Sequence, residues 1–273
     1  MSSAINTNIA SLNTQRNLSA SQSGLSTSIQ RLSTGMRINS AKDDASGLAI
    51  ATKMDSQIRG MNMAVRNAND AISYAQTADG GLSKVNDSLQ RMRELAVQGA
   101  NATTDNASLK PEFDALQAEV TRISTTTNFN GSNTLSGGSK DFQIGANVGE
   151  KVTVTGVDLT AVAADTAITA GATIKVDNAA NSLLAVAQID KAIVEVNKER
   201  GNYGAVQNRF ESIVSNLQTS AENQSAAKSR IMDTDFASET ANLTRSQILS
   251  QAGTAMLAQA NALPNSVLSL LKG

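Results

Sequence analysis

A mainly α fold is predicted: a long antiparallel helical hairpin or coiled-coil bundle, with a small β-rich region at the tip and the N- and C-termini paired. Three observations carry this reading. Apolar residues recur every seven positions near both ends of the 273-residue chain, as Leu18, Leu25 and Leu32 and again as Leu249, Met256, Leu263 and Leu270. Two long stretches of 3-4 apolar spacing lie inside those ends. Between them, a Gly-rich and β-branched segment interrupts the helical rhythm. The order of elements is close to a mirror, so the simplest path runs out, turns in the β region and returns.

The first segment, to about residue 42, is polar but nearly uncharged, with no acid before Asp43. Ile5, Ile9 and Leu12 begin an apolar pattern that Leu18, Leu25, Ile29, Leu32 and Met36 continue, as in a narrow amphipathic helix. RINSAKDD, residues 37–44, is a break rich in turn and capping residues, and Asp44 is a plausible N-cap. The longest periodic stretch follows, to about Gly99. Met54, Ile58, Met61, Val65, Ala68, Ile72 and Ala75 give way to Leu82, Val85, Leu89, Met92 and Ala96, with a phase slip of about one residue across Gly80-Gly81. A helix of that length would span roughly 80 Å and needs partners throughout.

After a polar loop, Leu109, Phe113, Leu116, Val120 and Ile123 mark a shorter helix, with Pro111 expected in its first turn. Residues 128–185 then turn strand-like. FQIGANVGEKVTVTGVDL alternates Val with Thr, and SGGS reads as the turn of a small hairpin. Helical spacing returns near Leu183 and runs through Ile189, Ile193, Val196, Tyr203, Val206, Phe210, Ile213, Leu217 and Ala221. DTDF at Asp233–Phe236 is a second break. Beyond Glu239 no acid follows, and only Arg245 and Lys272 carry charge.

Composition excludes several function classes. The chain has no cysteine, histidine or tryptophan, so disulfides, thiolate or histidine metal sites and His-based triads are all missing. An enzyme is not expected, and neither is a cofactor or a bound metal. A net charge of −1 implies no nucleic-acid binding. No apolar run is long enough for a membrane span, and the N-terminus carries no visible cleavable secretory signal. Asp233, Asp235 and Glu239 hint at a calcium loop but lack its glycine and final glutamate, which favours capping. GSNTLSGGSK lacks the Gly-Lys-Ser/Thr of a phosphate loop and reads as a turn.

The two terminal stripes can cover one another as a two-stranded coil. Their remaining faces of Ser, Thr, Asn, Gln and Ala can press against identical copies without stacking like charges within a Debye length of about 8 Å. The ends are therefore expected to order when many copies pack head-to-tail into an open helical array; the alternative is a soluble helical hairpin with polar ends.

Long collinear segments resemble bacterial flagellin, the flagellar filament subunit. At the N-terminal end they are NTNIASLNTQRNL, RLSTGMRINSAKDDASGLAIA and GGLSKVNDSLQRMRELAVQGAN. FNGSNTLSGG and FQIGANVGE resemble the family's β-turn region. QNRFESIVSNLQTSAENQSAAKSRIMDTDFASETANLTRSQILSQAGTAMLAQAN and LPNSVLSLL resemble its C-terminal half. The resemblance implies three domains. Residues 1–42 plus 235–273 would form the filament's inner tube, 43–139 plus 186–234 a helical rod with the β-turn region, and 140–185 a short variable surface β region; the Ser and Thr of residues 131–185 are candidate O-glycosylation sites. It implies unfolded export through the flagellar type III apparatus and secretion to the cell exterior. Implied partners are other copies of the chain, an export chaperone on the C-terminal tail, the filament cap and the hook-filament junction proteins. Residues of the terminal stripes (Ile9, Leu12, Leu18, Leu25, Ile29, Leu32, Leu249, Met256, Leu263, Leu270) would drive polymerisation. The segment QRMRELAVQ matches the family's Toll-like receptor motif. Gln90, Arg91, Leu95 and Gln98, with Glu119 and Arg122 nearby, would serve receptor contact, subunit packing or both. A hook-filament junction protein, or another secreted helical adhesin on the same scaffold, is the alternative.

Overall fold

The computed structural model describes residues 7–157, 159 and 174–271, with the backbone alone from residue 263 onward. Its helices are α1 (Ile9–Thr34), α2 (Ala45–Gly99), α3 (Asn106–Thr126), α4 (Ala179–Met232) and α5 (Phe236–Leu271). The short strands are β1 (Asn128–Phe129), β2 (Ser132–Asn133), β3 (Ser139–Gln143) and β4 (Lys151–Thr155). Each helix starts on an Asn or Asp whose side-chain oxygen accepts a first-turn N–H: Asn8, Asp44, Asp105, Asn178 and Asp235. Such caps satisfy amides that have no partner inside the helix.

The chain divides into two compact units. The first comprises residues 1–55 and 223–273, the second residues 56–222. These limits fall inside α2 and α4, not at the breaks near residues 42 and 235. The breaks are instead stitched to each other within the first unit. Arg37 N–H donates to the Met232 carbonyl at 2.6 Å and Thr234 N–H to the Gly35 carbonyl at 3.0 Å.

In the first unit α1 and α5 pack antiparallel. Asn8 Nδ2 donates to the Ala260 carbonyl at 2.7 Å, and at the other end Arg31 lies 3.7 Å from the buried Glu239. In the second unit the core forms around α2, α3, α4 and the strands, with Leu82, Leu89, Met92, Phe113, Ile189 and Phe210 sealed from solvent. Tyr74, Phe129, Phe142 and Phe210 make a row of ring contacts, with centroids 5.9–6.1 Å apart, that ties the strands to the helices.

The stripe of α2 is unbroken. Met61, Ala64, Ala68, Ala71, Ala75, Ala78, Leu82, Val85, Leu89, Met92 and Ala96 are all buried, in continuous 3-4 spacing through Gly80-Gly81. The expected phase slip came from weighting Val65 and Ile72, which flank the seam that Ala64 and Ala71 occupy. Pro111 lies in the second turn of α3, because the helix starts earlier, on the Asp105 cap.

The β region also differs from expectation. SGGS is not the hairpin turn. β3 and β4 pair antiparallel with Gln143 opposite Lys151, so the turn falls in the intervening residues. A second, smaller hairpin pairs β1 with β2. Its turn is Asn130-Gly131, both with positive φ (49° and 75°), the conformation this dipeptide adopts at least cost. Residues 140–185 are not all surface. Val152, Val154, Val157, Ile174 and Val176 enter the core, and α4 begins at Ala179. Among the described residues, no helix is long and apolar enough to cross a membrane.

Candidate functional surfaces

Two surfaces follow from the residues singled out by sequence. The first is the α1–α5 pair. The side chains turned inward along α1 are Ser11, Thr14, Leu18, Ser21, Leu25, Ser28 and Leu32. Those of α5 are Glu239, Leu243, Ser246, Ser250, Gly253, Leu257 and Ala260. Both sets keep 3-4 spacing, the geometry of a coiled-coil seam. Leu18 fits because position 253 is glycine; a Cβ there would lie 3.1 Å from the Leu18 Cδ1.

This arrangement corrects the expected pairing of stripes. Leu18, Leu25 and Leu32 do face α5, though only half-buried. Their partners are not Leu249 and Met256, which stand beside the seam at 50% and 60% exposure. Ile9, Leu12 and Ile29 likewise lie off the seam and are exposed. The physical reason is spacing. Small residues let the two backbones approach, and the bulkier side chains are left at the flanks or outside. Leu263 and Leu270 fall outside the described side chains.

The three acids considered for calcium have separate partners. Asp235 caps α5, Asp233 accepts from the Ser229 hydroxyl at 2.5 Å, and Glu239 pairs with Arg31.

The second surface lies on α2 and α3 in the second unit, residues 56–222, which is the inner unit because residues 1–55 and 223–273, the terminal unit, flank it in sequence. Gln90, Arg91 and Gln98 are exposed. Leu95 is not: at 2% exposure it packs in the core, three residues from Met92. Arg91 reaches Glu112 Oε1 at 2.7 Å and Glu94 Oε2 at 2.9 Å. The hydrogen bonds that it donates to Glu112 first and Glu94 second hold its guanidinium still more firmly protonated. Arg122 grips Glu119 with two bonds of 2.6 and 2.7 Å, which keeps the Glu119 carboxyl below the usual glutamate range. An open groove beside this pair is lined by Lys84, Asp87, Ser88 and Thr126. Glu112 and Glu94, absent from the sequence reading, fix the Arg91 side chain. Glu94 lay within reach of inspection, since a three-residue offset on a helix brings side chains together.

Known proteins fit this architecture. A model of the bacterial flagellin N-terminal helical region matches residues 5–140, and one of the C-terminal helical region matches residues 186–271. The flagellin of Halalkalibacterium halodurans is 44% identical, with 98% of this chain and 99% of that protein covered. The flagellin of Bacillus subtilis is 43% identical over the same shares. Among solved structures, the crystal structure of Bacillus cereus flagellin is similar with a TM-score of 0.51 and 30% identity, covering 60% of this chain and 94% of that one. With both helical regions matched and relatives alike along almost the whole length, the chain belongs to the bacterial flagellin family.

Proposed function

We propose that this flagellin, a structural subunit of the bacterial flagellar filament, polymerises head-to-tail through side chains that its own α1–α5 pair leaves uncovered. One observation carries the reading. Ile9, Leu12, Ile29, Leu249 and Met256 are large, apolar and exposed, on helices whose seam is already filled. Burying one such side chain completely is worth about 1.5–3 kcal/mol. A single copy cannot collect that energy here, whereas packed copies can. The sparse charge of α5 removes the repulsion that would otherwise oppose stacking.

In this reading residues 1–42 and 235–273 form the inner tube of the filament. Residues 43–139 and 186–234 form the outer tube, and the exposed part of residues 140–185 supplies the surface facing the medium. Leu18, Leu25 and Leu32 hold the pair together. Export proceeds unfolded through the flagellar type III apparatus, with a chaperone covering the C-terminal tail beforehand. The filament cap and junction proteins meet the subunit at the growing and rooted ends. Gln90, Arg91, Gln98, Glu119 and Arg122 form a polar surface for subunit packing, which a host Toll-like receptor reads when the subunit is free.

The test is deletion of residues 250–273. The inner unit should keep its helical signal and its melting transition, while growth on filament seeds stops. Growth at the native rate would remove the tail from the mechanism.

A further inference from the structure

Mild oxidants find few targets in this chain. Cysteine, tryptophan and histidine are all absent, which leaves the thioethers of eight methionines as the softest nucleophiles. Exposure sorts them. Met92 is sealed and Met61 nearly so; Met36, Met54 and Met232 are intermediate; Met63 and Met256 are open, at 49% and 60%. The Met63 sulfur lies against the Arg66 guanidinium. A cation there draws on the sulfur lone pair and slows its attack on an electrophilic oxygen. Met256 is the most exposed of the described methionines.

Its position gives that exposure a consequence. Met256 lies one heptad from Leu249, on the side of α5 that the seam with α1 leaves uncovered. We propose that Met256 is an oxidation site that gates assembly, with peroxide as the oxidant. The sulfur lone pair attacks one peroxide oxygen, the S–O bond forms and the O–O bond breaks. Sulfur loses two electrons, and the second oxygen leaves as water once the proton has transferred. The product sulfoxide is a strong hydrogen-bond acceptor. In the free subunit water satisfies it, so the fold is undisturbed. Against a neighbouring copy it must shed that water among apolar side chains, which weakens incorporation roughly tenfold or more. Once a subunit is incorporated, the same contact shields Met256 from further oxidant.

This inference rests on the reading of the exposed α5 side chains as copy-to-copy contacts, and two variants separate the two ideas. Free subunits are treated with limiting hydrogen peroxide, the modified residues are mapped by peptide mass spectrometry, and elongation on filament seeds is measured. The expected result has four parts. Sulfoxide appears at Met256 before Met61 and Met92, elongation falls at least about tenfold, methionine sulfoxide reductase restores it, and M256L elongates equally before and after the same dose, whatever its untreated rate. If M256L is slowed as much as the native chain, or Met256 stays unmodified while elongation falls, the oxidation gate is wrong. M256Q places a permanent polar group at the position without oxidant. Should M256Q extend seeds at the native rate, position 256 makes no apolar contact and the underlying reading fails there too.

Discussion

The two units use the same helical spacing to opposite ends. In the inner unit the seam positions of α2 hold Leu82, Val85, Leu89, Met92 and Ala96, and α3 and α4 add Phe113, Val120, Ile189, Val196 and Phe210, all sealed from water. In the terminal unit the seam alternates Leu with Ser, and admits Gly253 and the ion pair of Arg31 with Glu239. Its leucines are only half-buried, and its other large apolar residues lie outside the seam. Periodicity therefore says where two helices touch. What occupies the seam says whether the contact is sufficient alone. By that measure the inner unit is self-contained and the terminal unit is not.

Hydrogen exchange on the free chain gives the widest separation. Amides of α2 between Leu82 and Ala96 should be protected more strongly than those of α1 between Leu18 and Leu32, by roughly three orders of magnitude. Equal protection in both would break the comparison, since the terminal pair would then be stable without copies around it. Next comes Phe113→Ala. This ring is completely buried in the inner core, so its loss should cost about 3–5 kcal/mol, read as a lower denaturation midpoint. The same truncation at half-buried Leu25 should cost less than half as much. A reversed order would mean that the terminal seam carries more of the fold than its composition allows.

Much of the architecture was legible, and the errors share one cause. The long helices, the breaks and the paired ends could be read from periodicity and from capping residues such as Asp44 and Asp235. The seams could not be read as well, because bulky residues dominate a search for stripes. Where two helices approach closely the seam belongs to small residues. Ala64 and Ala71 hold the seam beside the bulkier Val65 and Ile72, and Ser250 and Gly253 hold it beside Leu249 and Met256. The opposite error occurred at Leu95, whose placement beside exposed Arg91 hid its place in the core. The Asn130-Gly131 hairpin had a clear local signal that the neighbouring glycines obscured. Pairs such as Arg93 with Asp190 at 2.5 Å, 97 residues apart, leave no local signal at all.

A smaller effect tests how the β region is held to the inner core. Tyr203 is buried, accepts from the Val157 N–H at 3.3 Å and donates to the Thr134 carbonyl at 3.4 Å. Tyr203→Phe keeps the ring and leaves two buried backbone groups unpartnered, at a cost of about 1–2 kcal/mol. Burial pushes the phenol up to about 12. A proton held more tightly in the folded state means stability that is complete below the ordinary tyrosine range and lost as pH rises through about 12. Native protein should therefore lose stability in alkali more steeply than Tyr203→Phe. Parallel alkaline profiles would show that the hydroxyl is not confined as its two contacts require.

The smallest effect belongs to the terminal unit and its local order. Asp43 accepts from the Ser40 hydroxyl and from the Ser40 and Asn39 amides, and Asp44 accepts from the Gly47 amide and the Ser46 hydroxyl. For Asp43 the Ser40 hydroxyl, and for Asp44 the Gly47 amide, is the foremost cause that keeps each carboxyl below the ordinary aspartate range. With the folded value depressed, this stabilisation is present above the unfolded value and disappears as pH falls through the folded one. Asp44→Asn retains an acceptor and removes the titration. In that variant the acid-induced fraying at the start of α2 should begin at the same pH but be shallower, as followed by carbonyl chemical shifts. An unshifted Asp44 titration in the native chain would mean that this turn is not held by its own capping bonds. The break would then draw its order from the backbone bonds that Arg37 and Thr234 donate to the Met232 and Gly35 carbonyls.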